Sequence, residues 1–239
     1  MNDDLKYGFW NKFSKEYDNL NPVPKYLQKV EEYNGQKSFV LACTQTAFSA
    51  SEQKKNVKAW CELFRSQQLS IDKLWVTTRI SQEILDAICC QKNLKGLFIK
   101  WGVYDDISGL ENISNLEYLH LGGSTSLDSI DTVFKLTKLR ALETENLFNI
   151  HDYSLLTNLK DLIDLEIEGD PYSSMKKVTL KSLSFLKGMP QLVRLSLCMT
   201  KIEDSSYAPI ADLPNLKFLE LPNDRDLDKD MDKLKKFLE

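Results

Sequence analysis

The chain has 239 residues, of which 42% are hydrophobic and 28% charged, and its formal net charge is −4. These values are ordinary for a folded globular protein. No apolar stretch approaches the roughly 20 residues needed to cross a bilayer, and the acidic N-terminus lacks the apolar core of a signal peptide. We therefore expect a cytoplasmic protein, and the sequence argues against a secreted, membrane-spanning or generally DNA-coating one.

The first 68 residues contain no repeat, and we expect them to form a cap. Residues 5–17 carry aromatic side chains at helix-like spacing. Residues 24–33 are predicted as a short helix, because their apolar residues fit helical spacing, a proline begins the segment and Gly35 follows it. The alternative is a hairpin that turns at Asn34 and Gly35 into the next strand.

A strand over residues 38–44 and a helix over residues 51–65 complete this N-terminal region. The strand is a short apolar run, and the helix has apolar residues at helical spacing. The residues that we expect this helix to bury are Val57, Trp60, Cys61 and Phe64.

Seven copies of one apolar pattern follow, each spaced as L-x-x-L-x-L. The first positions are 71, 94, 116, 139, 162, 192 and 216, so the successive steps are 23, 22, 23, 23, 30 and 24 residues. Within each copy apolar and polar residues alternate, as a half-buried strand requires. A strand with one apolar face is not stable alone, so we predict a stacked parallel sheet with strands centred near residues 74, 97, 119, 142, 165, 195 and 219.

This pattern resembles the leucine-rich repeat family, in which the same motif recurs about every 20–29 residues. The resemblance covers residues 69–227 and implies an α/β solenoid, a right-handed β-α superhelix with a curved parallel sheet, preceded by an N-terminal α/β cap over residues 1–68. The period is similar to that of the bacterial internalin-like class, whose convex side uses 3₁₀ turns or single helical turns. The asparagine that the family places eight residues after the first leucine is missing, and Thr144 replaces a core apolar residue. We therefore expect irregular stacking in the middle.

Three segments depart from the simple repeat. The first return leg is predicted as a true helix with Ser81 as its N-cap. The step of 30 residues predicts a loop of about seven extra residues at 170–177, which must bulge outward and expose Tyr172 or Met175. Residues 228–239 are predicted as an amphipathic C-terminal capping helix.

No motif in the sequence predicts catalysis or a metal centre. Neither Gly-rich phosphate loop occurs, and the two histidines, His120 and His151, lie outside any nucleophile motif. The five cysteines lack C-x-x-C spacing and are interpreted as buried residues in a reducing compartment. The acidic run from Asp224 resembles the start of a calcium loop, but Lys229 and Lys235 occupy the glycine and glutamate positions. We expect a protein that is not an enzyme and has no metal and no cofactor.

The outward positions of the strands form the candidate binding surface. In each motif the third, fifth and seventh residues point away from the leucine column. Four of them form an aromatic strip on the N-terminal strands: Trp75, Phe98, Tyr118 and His120. Beside it lie five carboxylates and one arginine: Glu143, Glu145, Asp164, Glu166, Glu168 and Arg194. The alternative is an ordinary solvated strand face with cross-strand aromatic pairs.

Five like charges on adjacent strands repel one another, so stability alone does not account for them, and exposed aromatic residues beside charge are typical of protein interfaces. We predict a monomeric, non-enzymatic scaffold that binds a protein partner with a basic surface through its concave face. An acidic face disfavours nucleic acid, and we expect no membrane partner. Alternatives are an intracellular bacterial immunity protein that neutralises a toxin, a regulatory subunit of an enzyme, or a module of a larger protein. The loop at 170–177 and the N-terminal cap are alternative binding surfaces.

Overall fold

A computed structural model of the protein describes residues 25–222, 227 and 229–238. Within these residues the chain forms twelve strands: β1 (Tyr26–Leu27), β2 (Ser38–Leu41), β3 (Lys73–Val76), β4 (Ile80–Ser81), β5 (Gly96–Val103), β6 (Tyr118–Gly123), β7 (Ala141–Glu145), β8 (Asp164–Glu168), β9 (Val178–Leu180), β10 (Arg194–Ser196), β11 (Thr200–Ile202) and β12 (Phe218–Glu220). Nine of them lie side by side in the order β1-β2-β3-β5-β6-β7-β8-β10-β12. Strand β4 extends the sheet along β5, and β9 pairs with β11 in a separate ribbon.

The seven predicted strands are confirmed, and all of them pair in parallel. Their register aligns the central leucine of each repeat in one column on the inner face: Leu74, Leu97, Leu119, Leu142, Leu165, Leu195 and Leu219. Each of these side chains is at most 7% exposed. The predicted solenoid and its inner face are therefore correct.

Helical segments cover the side of the sheet that carries the leucine column. Two α-helices stand at the N-terminal end, α1 (Ala50–Ser66) and α2 (Gln82–Ile88), and they pack against each other. The later repeats return through 3₁₀ turns at Ser108–Asn112, Val133–Lys135, Ser154–Asn158, Ser184–Gly188 and Ala208–Asp212. This confirms the prediction of one true helix followed by short turns.

Helix α1 is anchored by its cap and by an aromatic stack. Ser49 and Glu52 form a capping box at its start. Trp60 stacks on Phe39 of β2 with ring centroids 5.4 Å apart, and Phe64 lies 5.5 Å beyond it. The predicted buried face is confirmed at Trp60, Cys61 and Phe64, whereas Val57 is only partly buried.

The predicted helix over residues 24–33 is wrong over residues 25–33, which the structure describes. Tyr26 and Leu27 form β1, and a 3₁₀ turn at Val30–Glu32 follows. The hairpin alternative is also wrong, because β1 pairs with β2 in parallel. Leu27 is 1% exposed beside Leu41, so burial against the sheet outweighs local helical spacing. The aromatic segment at 5–17 lies outside the described residues.

The middle of the sheet stacks without the predicted irregularity. Thr144 is 2% exposed and pairs in register with Leu121 and Ile167. Its hydroxyl lies 3.3 Å from the hydroxyl of Tyr153, so the polar atom has a partner inside the core. A buried hydroxyl that has a hydrogen-bond partner can take the place of a core methyl group without distorting the leucine column.

The predicted insertion at 170–177 lies directly after β8, as expected. The amide of Asp170 donates to the carbonyl of Lys176 at 2.9 Å and closes the loop. The Asp170 carboxylate accepts hydrogen bonds from the amides of residues 172–174. Tyr172 and Met175 are 94% and 63% exposed, which confirms the predicted exposure.

Helix α3 (Met231–Leu238) lies against the last repeat. Leu234 is fully buried, Phe237 packs on the core, and Met231 is only partly buried. Just before the helix, the carboxylate of Asp230 accepts the amide hydrogen of Tyr207 at 2.9 Å. None of the helices in the described part of the chain is long and apolar enough to span a bilayer.

Candidate functional site

Parallel register arranges the outward residues of the sheet in rows that cross the strands. We call one of them the central row; from β1 to β12 it contains Tyr26, Val40, Trp75, Phe98, His120, Glu143, Glu166, Ser196 and Glu220. A flanking row contains Tyr118, Ala141, Asp164, Arg194 and Phe218. On the other side Glu145 of β7 pairs with Glu168 of β8. The structure therefore brings all ten predicted site residues together on one face.

The aromatic strip is more buried than the sequence suggested. Trp75 is only 5% exposed, because it packs with Val40, Phe98 and Tyr118 in a small cluster separate from the main core. The expectation that Trp75 is an exposed anchor is therefore wrong, while Phe98 and Tyr118 are partly buried. Tyr26 is 63% exposed and lies in the same row, and the sequence missed it because β1 was predicted as a helix.

His120 joins the aromatic strip to the carboxylates. Its ring stacks on Phe98 with centroids 4.1 Å apart. Its Nδ1 lies 3.0 Å from Oε2 of Glu143, and its Nε2 lies 3.5 Å from Oε2 of Glu145. Burial lowers the pKa of His120, but the two carboxylates outweigh burial and raise that pKa to about 9. At neutral pH His120 is therefore a cation held between two carboxylates.

Arg194 neutralises two further carboxylates. One guanidinium nitrogen donates to Asp164 at 2.9 Å and another to Glu166 at 2.8 Å, and the guanidinium lies over the ring of Phe218 at 5.1 Å. Arg194 is 3% exposed and Asp164 is fully buried. A buried carboxylate needs such a partner, because an unpaired charge is costly inside a protein.

The prediction of one continuous negative surface made of five carboxylates is therefore wrong. Glu143 and Asp164 are buried, and His120 and Arg194 supply positive charge between the acidic side chains. The outward positions of the motifs predict that Arg194 lies beside the carboxylates. They do not predict that its guanidinium pairs with them.

We call three further carboxylates the acidic edge: Glu145, Glu168 and Glu220. Of these, Glu145 lies 3.5 Å from the His120 cation. Within the described residues Glu168 has no cationic partner. Burial and the nearby charges of Glu166 and Glu145 raise the pKa of Glu168 to about 7, although Cys198 donates a hydrogen bond to it. Glu220 is exposed and accepts a hydrogen bond from Ser196 at 2.8 Å. Glu220 was not among the predicted site residues, although it occupies the same motif position as Glu143 and Glu166.

Comparison with known proteins places these features in context. No protein-family model matches the chain. Disease resistance protein RPS4B of Arabidopsis thaliana is 28% identical over 145 residues, which cover 47% of this chain and 12% of that protein. The chain thus spans a small part of the curated relative that it matches.

Two solved structures illustrate the likeness of fold. The plant peptide hormone receptor RGFR1, in complex with RGF2, matches with a TM-score of 0.50 and 18% identity over 68% of this chain and 26% of that chain. Internalin C2 of Listeria monocytogenes matches with a TM-score of 0.49 and 22% identity over 70% of this chain and 68% of that chain. Such identities indicate the fold alone. The seven repeats, the parallel sheet with its leucine column and the likeness to RGFR1 give the chain a leucine-rich repeat fold.

Proposed function

We propose that this protein is a non-enzymatic scaffold that binds a basic segment of a protein partner on the concave face of its sheet. The acidic edge carries this proposal, because Glu168 is partly buried among carboxylates and has no cationic partner within the described residues. The aromatic strip beside it offers apolar contact area, with Tyr26 exposed at its far end. The solved structure of RGFR1 with RGF2 supports peptide binding as a use of the fold.

The electrostatics of the acidic edge favour a cationic partner. Burial and neighbouring carboxylates oppose ionisation of Glu168 and raise its pKa to about 7. An incoming cation reverses that effect, because an opposite charge within a few ångströms favours the ionised carboxylate. Binding therefore relieves an unfavourable charge arrangement of the free protein, and charge attraction also accelerates association.

We also propose a cytoplasmic location. All five cysteines are free thiols, and burial raises the pKa of Cys43 to about 12 and that of Cys61 to about 11. Buried thiols without disulfides are typical of proteins in a reducing compartment.

The test is capture of a partner by matched charge-reversal variants of the full chain. The concave variant carries Glu145→Lys and Glu220→Lys, and its control carries Glu31→Lys and Glu203→Lys at exposed positions away from the rows. Glu143 and Asp164 are unsuitable for reversal because both are buried. We expect the wild type and the control to capture the same protein from native lysate, and the concave variant to lose it.

Two further measurements complete the test: the dependence of capture on salt concentration and the identity of the captured protein. Capture should weaken as salt rises from about 50 to 300 mM, because screening reduces attraction between exposed charges. Equal capture by the concave variant and its control would refute binding at this face. The captured protein also decides the partner class, since a toxin would indicate an immunity protein and an enzyme would indicate a regulatory subunit.

A further inference from the structure

A cavity of about 610 Å³ lies at the N-terminal end of the solenoid, outside the rows of the concave face. Its walls come from the first turns of α1, the start of α2, the segments that follow β2 and β3, and the end of β5. Pockets that bind small molecules have volumes of about 300–1,000 Å³. The cavity is therefore large enough for a small molecule, and the proposed partner binding does not use it.

The cavity lies beside the ends of parallel strands. Because β2, β3 and β5 pair in parallel, their carboxyl ends meet at one edge of the sheet. Crevices at the carboxyl ends of parallel strands are the usual ligand sites of open α/β sheets. Gly102 of β5 keeps this edge compact, since a Cβ atom there would lie 2.7 Å from Ile80, which belongs to the cavity wall.

The surface inside the cavity is mostly apolar. Ile80 and Ile84 are at most 2% exposed and Val57 packs on the core, so these side chains form a fixed floor. Val103 lines the same cavity and is 49% exposed. An apolar ligand body would remove this surface from water, which is favourable.

The charge at the cavity is positive. Lys54 and Arg79 line it, and no carboxylate does so among the described residues. Neither cation makes an ion pair within the described part of the chain. The whole chain has 35 acidic residues against 31 basic ones, so this lining differs in sign from the protein as a whole. The cavity is therefore complementary in charge to an anion.

Arg79 is held in place by its neighbours. Its amide donates a hydrogen bond to Oε1 of Gln45 at 2.8 Å, and its carbonyl accepts one from the hydroxyl of Thr44 at 2.5 Å. Its guanidinium lies over the ring of Trp101, 5.4 Å from the ring centroid, and donates no hydrogen bond within the described residues. The planar group is thus positioned with its donors unused, and a carboxylate can accept two of them at once.

We propose that this cavity binds a small organic acid. Its apolar body packs against Val57, Ile84 and Val103, and its carboxylate binds Arg79 and Lys54, which reach it from different walls. The site is separate from the concave face, so the chain carries a small-molecule site in addition to its proposed partner surface.

The test uses three probes of similar shape that differ in charge: 6-phenylhexanoate, 6-phenylhexanamide and 6-phenylhexylamine. Each is titrated into the isotopically labelled full chain at pH 7 and low salt, and the backbone amide shifts of residues 45, 81 and 103 are followed by NMR. We expect the acid to give saturable shifts and to bind about tenfold more tightly than the amide, because charge-assisted hydrogen bonds are the stronger ones. The amine should give no saturable shift at these residues.

Matched variants locate the carboxylate. Arg79→Gln and Lys54→Gln should each weaken binding of the acid by roughly fivefold and leave binding of the amide unchanged, since only the acid presents a charge to them. Lys55→Gln is the control, because Lys55 is exposed on the same turn of α1 but does not line the cavity. Arg79→Lys keeps the charge and should recover part of the loss. A thermal melt verifies that each variant is folded.

Three outcomes would overturn the proposal. The first is equal binding of the acid and the amide, and the second is unchanged binding of the acid when Arg79→Gln and Lys54→Gln are combined. The third concerns acetyl-Ala-Leu-Phe, a peptide with a free carboxyl end, as a fourth probe. Binding of this peptide about tenfold more tightly than 6-phenylhexanoate would make the cavity a site for a peptide end.

Discussion

Arg194 and Asp164 lie directly opposite each other on neighbouring strands and form a buried ion pair with a separation of 2.9 Å. The pair lies in the flanking row and also draws in Glu166, at 2.8 Å. It sets the charge balance of the concave face, because it neutralises Asp164 and Glu166 and leaves Glu168 beside them without a cationic partner within the described residues.

Removing the arginine from this pair should be costly. Arg194→Met leaves the carboxylate of Asp164 buried without its cation, and loss of one partner of a buried pair costs about 3–5 kcal/mol. Denaturant unfolding measures the change, with Arg140→Met as the control because Arg140 is exposed. Adding Asp164→Asn to Arg194→Met should recover part of the loss, and a loss below about 1 kcal/mol in the single variant would show that the pair is not structurally important.

The leucine column supplies a second prediction. Leu119→Ala and Leu195→Ala should each lower the free energy of unfolding by about 2–5 kcal/mol, because each removes methyl groups from a packed core. Both side chains are at most 1% exposed. Leu155→Ala is the matched control at 46% exposure, and it should cost less than about 1 kcal/mol. Comparable losses in all three variants would contradict the assignment of the inner face.

Sequence periodicity predicts the column and the strands because each repeat obeys the same burial requirement. It does not predict β1, since two residues pair with β2 only through the tertiary fold and their local spacing is helical. The burial of Trp75 could not be predicted from the repeats either, because Trp75 packs against Val40, which belongs to a strand outside the repeats. The motif does predict that Arg194 and Asp164 are neighbours, because both occupy the same motif position. It does not predict that their side chains form an ion pair, because motif position does not give side-chain direction.

The raised pKa of Glu168 predicts how the free energy of unfolding changes with pH. Its pKa is raised from 4.5 to about 7, so the folded protein retains a proton that the unfolded chain releases. Tighter binding of this proton by the folded protein contributes to the free energy of unfolding. That contribution is fully present below pH 4.5 and is lost as pH rises towards 7. Glu168→Gln should therefore raise the free energy of unfolding at pH 8 by about 1 kcal/mol, a value reduced for partial exposure.

The same variant measured at pH 5 provides the internal control. At that pH Glu168 of the folded wild type is mostly protonated, and the gain from glutamine should nearly disappear. Urea unfolding at the two pH values gives both numbers. A variant that is less stable than the wild type at pH 8 would contradict the view that Glu168 carries an unfavourable charge in the free protein.

The loop at 170–177 should be dispensable for folding. Asp170 and Lys176 are already joined by a main-chain hydrogen bond of 2.9 Å, so replacing residues 171–175 by two glycines shortens a loop whose ends are close together. The free energy of unfolding should change by about 1 kcal/mol or less. Global unfolding of the shortened chain, seen by circular dichroism, would show that the loop supports the β9–β11 ribbon.

Site-specific photo-crosslinking tests most directly the claim that the concave face binds the partner. A photoreactive phenylalanine analogue replaces Tyr118 on the concave face in one variant, and Tyr172 on the exposed loop in another. Both variants are irradiated with the captured partner, at low salt. We predict a covalent adduct from position 118 and none from position 172. An adduct from position 172 alone would contradict the account and would place the binding surface on the loop.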